Sequence, residues 1–133
     1  MNKIEYGMKL DFSNVLIRPK RSTINSRSLV NLERPFKFKY STLSWEGTPI
    51  ISANMDTTGT FDVYQCLMQN KIITALHKFY TIDDYRYFKV HYDVHPDYFM
   101  ISTGIGEGSI EHLHQVFEVI DCNWICIDIA NGY

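Results

Sequence analysis

Two residues at the ends of apolar runs are placed to do chemistry: Lys78 after IITALH, and Asp128 in WICIDI. An ammonium and a carboxylate held together tune each other's ionisation, and such a pair moves protons or holds a polar substrate. The same two groups can equally form a salt bridge that closes the top of a barrel. A second set is cationic. Arg18, Lys20, Arg21 and Arg27 stand among Ser22, Thr23 and Ser26, donors that suit a phosphate, although a solvated loop is the commoner use of such a cluster. Asn54, Met55 and Asp56 end another apolar run, where the methionine either packs or offers an apolar shelf to a planar base.

Other residue types point away from chemistry. Cys66, Cys122 and Cys126 are odd in number and read as reduced thiols, with Cys126 inside an apolar strand and no second pair of ligands at zinc spacing. No metal site is expected. His91, His95, His112 and His114 have no sequence partner that argues for a ligand, and they fit helices as packing or solvated residues. In TGIGEGSI, Gly104 and Gly106 open a dinucleotide fingerprint, but Ser109 occupies its third glycine position. A conventional Rossmann domain is therefore disfavoured, because that glycine lets helix and strand pack closely.

The elements that must carry these groups follow from periodicity. Apolar runs begin at Pro49, Ile72, Tyr98 and Trp124, spaced 23, 26 and 26 residues apart, the repeat of one strand and one helix. Helical stripes fill the gaps. Phe61, Tyr64, Leu67 and Met68 form the first, with Asn70 as its stop; Tyr85 and Phe88 follow a capping box of Thr81 and Asp84. Ile110, Leu113, Phe117 and Ile120 form the third. Such a series predicts an α/β fold with a parallel sheet, either doubly wound or a (β/α)8 barrel.

Strand alternation sharpens the choice. Trp124, Cys126 and Asp128 share one face, and Ile125, Ile127 and Ile129 the other. If the isoleucine face meets helices, Asp128 points inward at the carboxyl end, where barrel active sites lie, and Lys78 can do so from its own strand. Residues 1–48 differ in character: LDFSNVLIRPKRST is extended and basic, and FKFKYSTLSWEG alternates like a hairpin. The expected organisation is an extended segment with a β-hairpin over 1–48, then the first four strands and three helices of an incomplete (β/α)8 barrel over 49–133.

Composition agrees with an ordinary folded domain: 133 residues, 45% hydrophobic, 21% charged, net charge −2. That charge predicts no nucleic-acid partner, and no apolar run reaches the roughly 18 residues a membrane span requires. The N-terminus lacks the apolar stretch of a signal peptide, so a cytoplasmic setting is expected.

LDFSNVLIRPKRSTINSRS, PIISANMDTTGTF, TALHKFY, STGIG and CIDIANGY, in this order, closely resemble the N-terminal part of GMP reductase, which belongs with IMP dehydrogenase among the (β/α)8 barrels. The alternative, IMP dehydrogenase, usually carries regulatory domains inserted early in its barrel. Tyr98 follows Lys78 by only 20 residues, which leaves no room for them. The resemblance implies NADPH-dependent reductive deamination of GMP to IMP and ammonia, through attack of a cysteine on C2 of the purine and a thioimidate intermediate. It also implies roles for residues. Ser26 and Arg27 match positions that hold the NADPH of a neighbouring subunit, and Lys78 contacts cofactor and supports proton transfer. Asp128, Ile129 and Ala130 match the cofactor-facing strand end, with the carboxylate implicated in deamination. The family is tetrameric.

Three departures accompany the resemblance. Phe79 stands where the family commonly has histidine, and Ile105 where it has threonine. The catalytic cysteine loop, its adjoining potassium site and the purine and phosphate contacts match nothing in these 133 residues. A complete (β/α)8 barrel takes about 250 residues. The expectation is therefore the N-terminal half of a GMP reductase from a truncated, split or incompletely recorded gene, inactive alone and paired with copies of itself or with a C-terminal half. A non-catalytic binding or assembly module is the alternative.

Overall fold

The computed structural model describes residues 7–130; Asn131, Gly132 and Tyr133, with which the strand-end motif closes, lie outside them. The chain divides into two compact units, residues 1–31 and 32–133. This boundary precedes the composition change at 48/49, because the antiparallel pair at 34–47 packs with the parallel sheet.

The described part of the first unit is exposed throughout. It holds two 3-10 turns. Asp11 caps Phe12–Asn14 with a reciprocal capping box, and Ser26 caps Arg27–Leu29 through its hydroxyl, which accepts from the Ser28 amide.

In the second unit, β1 (Arg34–Lys37) pairs antiparallel with β2 (Ser44–Gly47). Four parallel strands follow in the order β3-β4-β5-β6: Ile51–Ser52, Ile73–Leu76, Phe99–Thr103 and Ile125–Ile127. The connections are α1 (Phe61–Met68), α2 (Ile82–His91) and α3 (Ser109–Val119). Sequential order in a parallel sheet puts every strand's carboxyl end on one edge.

Register fixes the faces. Leu76 pairs with Ile101 and Ile101 with Ile125, while Ala75 pairs with Met100 and Ser102 with Cys126. Leu76, Phe99 and Ile101 join Phe61, Tyr64, Tyr85, Phe88 and Val116 in one core, so theirs is the helix-facing side. The core is strongly aromatic: Phe61 stacks on Phe88 at 4.2 Å and on Tyr80 at 3.8 Å between ring centroids. Each fully buried side chain of this size contributes about 1.5–3 kcal/mol. Tyr64 is completely buried, yet its hydroxyl donates to Asp93 O at 3.0 Å and accepts from His95 N at 2.7 Å. Burial pushes its pKa up to about 12.

Local signals explain the helices with two adjustments. Thr81 and Asp84 form the reciprocal capping box of α2, and Thr60 caps α1 by accepting from Val63 N. In α3 the fully buried residue is Val116, whereas Ile110 is exposed and Leu113 and Phe117 are half-buried; the buried stripe is rotated toward β5. After α1, the left-handed residue is Lys71 (φ 52°), not Asn70. Lys71 is held there by its own bonds: its carbonyl accepts from Thr48 N at 3.0 Å and its ammonium meets Glu33 at 2.6 Å.

The hairpin packs at the amino ends of the parallel strands. Trp45 is buried, its indole N–H donates to Asp97 O at 3.0 Å, and Trp124 donates to the same carbonyl at 3.0 Å. Phe36 contacts Trp45 and Phe38 meets Trp124 edge-on. At the other side of the sheet, Ile125, Ile127 and Ile129 are 48%, 62% and 38% exposed, so the helix-facing side of β6 is only partly covered among the described residues.

Candidate functional site

The carboxyl ends of the strands bring Lys78 and Asp128 together, Nζ to Oδ2 at 3.0 Å. They arrive differently. Asp128 continues the alternation of β6 on the Cys126 face, and its amide extends the ladder by donating to Thr103 O at 2.7 Å. Alternation alone would put Lys78 on the helix side with Leu76. Instead β4 ends at Leu76, and the turn that follows, pinned by His77 N donating to Gly59 O at 2.9 Å, swings Lys78 to the carboxylate.

Gly59 makes that turn possible by its size. It is buried, and a Cβ built there would overlap the Ala75 carbonyl and lie 2.9 Å from His77 N. The β3–α1 connection can approach the end of β4 only with no side chain at this position.

The hydrogen bond from Lys78 holds the Asp128 carboxyl below its ordinary range, reinforced by the lysine's charge and a hydrogen bond from Asn54. Asn54, Lys78 and Asp128 thus converge from the ends of β3, β4 and β6. The pair is 41% and 37% exposed, and an ion pair that open adds little to stability. Its geometry instead suits a polar group in solution: an ammonium donor beside a carboxylate acceptor.

A cleft of about 610 Å³ opens beside the pair, lined by Lys78, Ser102, Gly104, Ile105, His112 and Asp128, with Ile129 and Ala130 at its margin. The glycine loop leads from β5 to α3, whose N-terminus is capped by Gly108 in a left-handed conformation (φ 77°) with no side-chain cap. Thr103 Oγ1 steadies the loop by donating to Ser109 O at 3.3 Å. A larger groove of about 890 Å³ lies between α2 and α3; it holds ordinary surface charges and none of the strand-end residues.

Four of the six sequence-derived site residues, Lys78, Asp128, Ile129 and Ala130, therefore meet in one cleft. Ser26 and Arg27 belong to the first compact unit, where they form the short turn already described. Ile105 lines the cleft and Phe79, next to Lys78, is 69% exposed, so both departures from the family fall at or beside it. Sequence reasoning passed over Ser102 and His112 as site residues, and it named Asn54 at a strand end without pairing it with Asp128. The signals were present: Ser102 precedes the glycine loop, His112 lies one turn into the following helix, and Asn54 ends a strand.

No cysteine occupies this cleft. Cys66 is exposed on α1, and Cys126 lies within β6. Cys122 donates to Phe99 O and Trp124 O at 3.3 and 3.2 Å, and burial pushes its thiol up to about 11, which makes it a poor nucleophile near neutrality. Among the described residues no cluster of histidine, cysteine and carboxylate side chains could hold a metal ion, and no helix is long and apolar enough to cross a membrane.

Comparison with known proteins first defines a class. The fold matches an inosine 5′-monophosphate dehydrogenase from Legionella pneumophila with a TM-score of 0.67 over 91% of this chain and 35% of that one, at 24% identity. It is an α/β fold built on a parallel sheet. The sequence then gives the particular resemblance. The chain is 48% identical to GMP reductase of Salmonella paratyphi C (strain RKS4594) over 134 residues, 98% of this chain. It is 42% identical to GMP reductase 1 of Mus musculus over 137 residues, 100% of this chain. No family model matches. The chain spans about 38% of the length of these reductases.

Proposed function

We propose that this chain forms the cofactor-facing part of a GMP reductase, an enzyme that converts GMP to IMP and ammonia with NADPH. The observation that carries the reading is the 3.0 Å pairing of Lys78 with Asp128 at the strand ends, at positions the reductase resemblance implicates, within a chain 42–48% identical to proteins of that name.

The residues of the cleft fit a nicotinamide nucleotide. They offer an ammonium, a carboxylate and a buried hydroxyl to the polar edge of a ring, and the open glycine loop leaves room beside it. When bound, NADPH supplies the hydride. The chain's own part is to hold and orient: Lys78 donates to a polar atom and keeps Asp128 ionised, and Asp128 accepts a hydrogen bond. Asn54 fixes the carboxylate's direction. Ser26 and Arg27 serve a neighbouring subunit's cofactor, where a guanidinium suits a 2′-phosphate. A cytoplasmic setting accords with this role.

These 133 residues do not supply the cysteine nucleophile or the potassium site that the resemblance implies. The chain on its own is therefore expected to bind NADPH without turning over GMP. Fluorescence titration with NADPH measures binding, and loss of absorbance in the presence of GMP measures turnover. Robust turnover by the isolated chain, or binding equal in wild type, K78A and D128N, would sink the proposal.

The partly open isoleucine face of β6 and, among the described residues, the single-sided pairing of β3 and β6 also favour an assembly role, since open parallel edges recruit partners. The partner is either a complementary C-terminal part of the barrel or a homo-oligomer. Co-purification with intact-mass analysis distinguishes them: a complementary chain marks a half-enzyme, and an intact reductase marks a regulatory subunit.

A further inference from the structure

The side chain of Ser102 is buried, 4% exposed, and its hydroxyl has no hydrogen-bond partner. It sits in the middle of the sheet on β5, paired in register with Cys126. That is the face on which Asp128 continues β6, opposite the helix-facing Ile101. The same side chain lines the cleft beside Lys78 and Asp128. A buried hydroxyl without a partner is costly, and in native folds such groups are mostly hydrogen-bonded, to protein, to ordered water or to a bound group.

Thr74 provides the contrast. Its hydroxyl is equally buried and equally unpartnered, but it lies on the helix-facing side in register with Phe99 and lines none of the described clefts. Two orphaned hydroxyls in one sheet thus face different surroundings. One lies on the helix-facing side of the sheet; the other belongs to a residue that lines the cleft holding the Lys78–Asp128 pair.

We infer that Ser102 is a ligand-binding residue whose hydroxyl hydrogen-bonds a heteroaromatic amide held between Lys78 and Asp128. An amide fits the three groups together: its N–H donates to the carboxylate, and its oxygen accepts from the ammonium and the hydroxyl. Both the carboxamide of a nicotinamide and the ring amide of a guanine have this chemistry. The inference rests on the nucleotide reading of the cleft proposed above.

The test titrates the full chain, as wild type, S102A and T74V, with NADPH by fluorescence and with GMP by calorimetry, and measures Tm of each unliganded protein. S102A is expected to weaken the binding of one nucleotide by about three- to tenfold, the worth of one hydrogen bond, and to leave Tm unchanged or raise it. The nucleotide affected identifies the source of the amide. T74V is expected to bind both as wild type does. Equal binding by S102A overturns the inference alone, as does a Tm loss in S102A of more than about 3 °C, which marks a structural hydroxyl. A parallel loss of binding in T74V overturns it too. A wild-type chain that binds neither nucleotide overturns the reading of the cleft, and this inference with it.

Discussion

Replacing Gly59 by alanine adds one methyl group where the backbone has no room for it. The new Cβ would overlap the Ala75 carbonyl and stand 2.9 Å from His77 N. Both are backbone atoms of β4 and its exit turn, so no side-chain rotation relieves the clash. Overpacking by a single methylene or methyl costs about 1–3 kcal/mol. Pushing the β3–α1 connection away also strains or breaks the bond from His77 N to Gly59 O, 2.9 Å long, worth about another 0.5–1.5 kcal/mol. The total is about 1.5–4.5 kcal/mol, to be measured as a lower denaturant midpoint with unchanged slope in urea unfolding followed by far-ultraviolet circular dichroism. Gly106 is the control. A Cβ there finds only Ser109 Oγ, at 3.8 Å, and alanine is expected to change stability by less than about 0.5 kcal/mol. The two substitutions are chemically identical, so the difference between them isolates the close approach. A Gly59→Ala protein within about 0.5 kcal/mol of wild type would refute the claim that this approach positions the turn carrying Lys78.

Two further outcomes are expected. The Asp128 carboxyl is held below its ordinary pKa by Lys78, so its contribution to stability is complete above the unfolded carboxylate pKa of about 3.9 and disappears as pH falls through the lowered folded value. Asp128→Asn is accordingly expected to flatten the acid limb of a stability-against-pH curve while leaving its shape near neutrality unchanged; an unaltered acid limb argues against the pairing. In thiol labelling with an aromatic disulfide at pH 8, exposed Cys66 is expected to react within seconds to minutes. Cys122, pushed up to about 11 by burial, reacts only with global unfolding, and prompt labelling at Cys122, located by peptide mass, contradicts the described packing.

The parallel order of the strands was legible because β4, β5 and β6 are short apolar runs separated by helical stripes, and the capping box of Thr81 and Asp84 marked the start of α2. The first strand was overestimated. PIISAN promises six residues, but only Ile51–Ser52 pairs, because β3 has a neighbour on one side and Ser52 turns its hydroxyl to Thr58 O. Alternation placed Asp128 correctly because β6 keeps its period to the end. It gave no valid route to Lys78, whose position depends on Gly59, a residue 19 positions earlier whose role is visible only once the backbones meet. Ser102 and Thr74 show the same limit: two hydroxyls alike in sequence environment differ in what their faces look upon, and only strand register separates them.

Both tryptophans of the chain, Trp45 and Trp124, converge on one acceptor, the carbonyl of Asp97, at the sheet edge opposite the cleft. Indole emission therefore samples a single location. It will track detachment of the hairpin from the sheet with high sensitivity, and neither indole lines the cleft at the other end. Quenching of these indoles by small solutes reads the condition of the sheet's base, and occupancy of the cleft is followed instead through the emission of the bound NADPH.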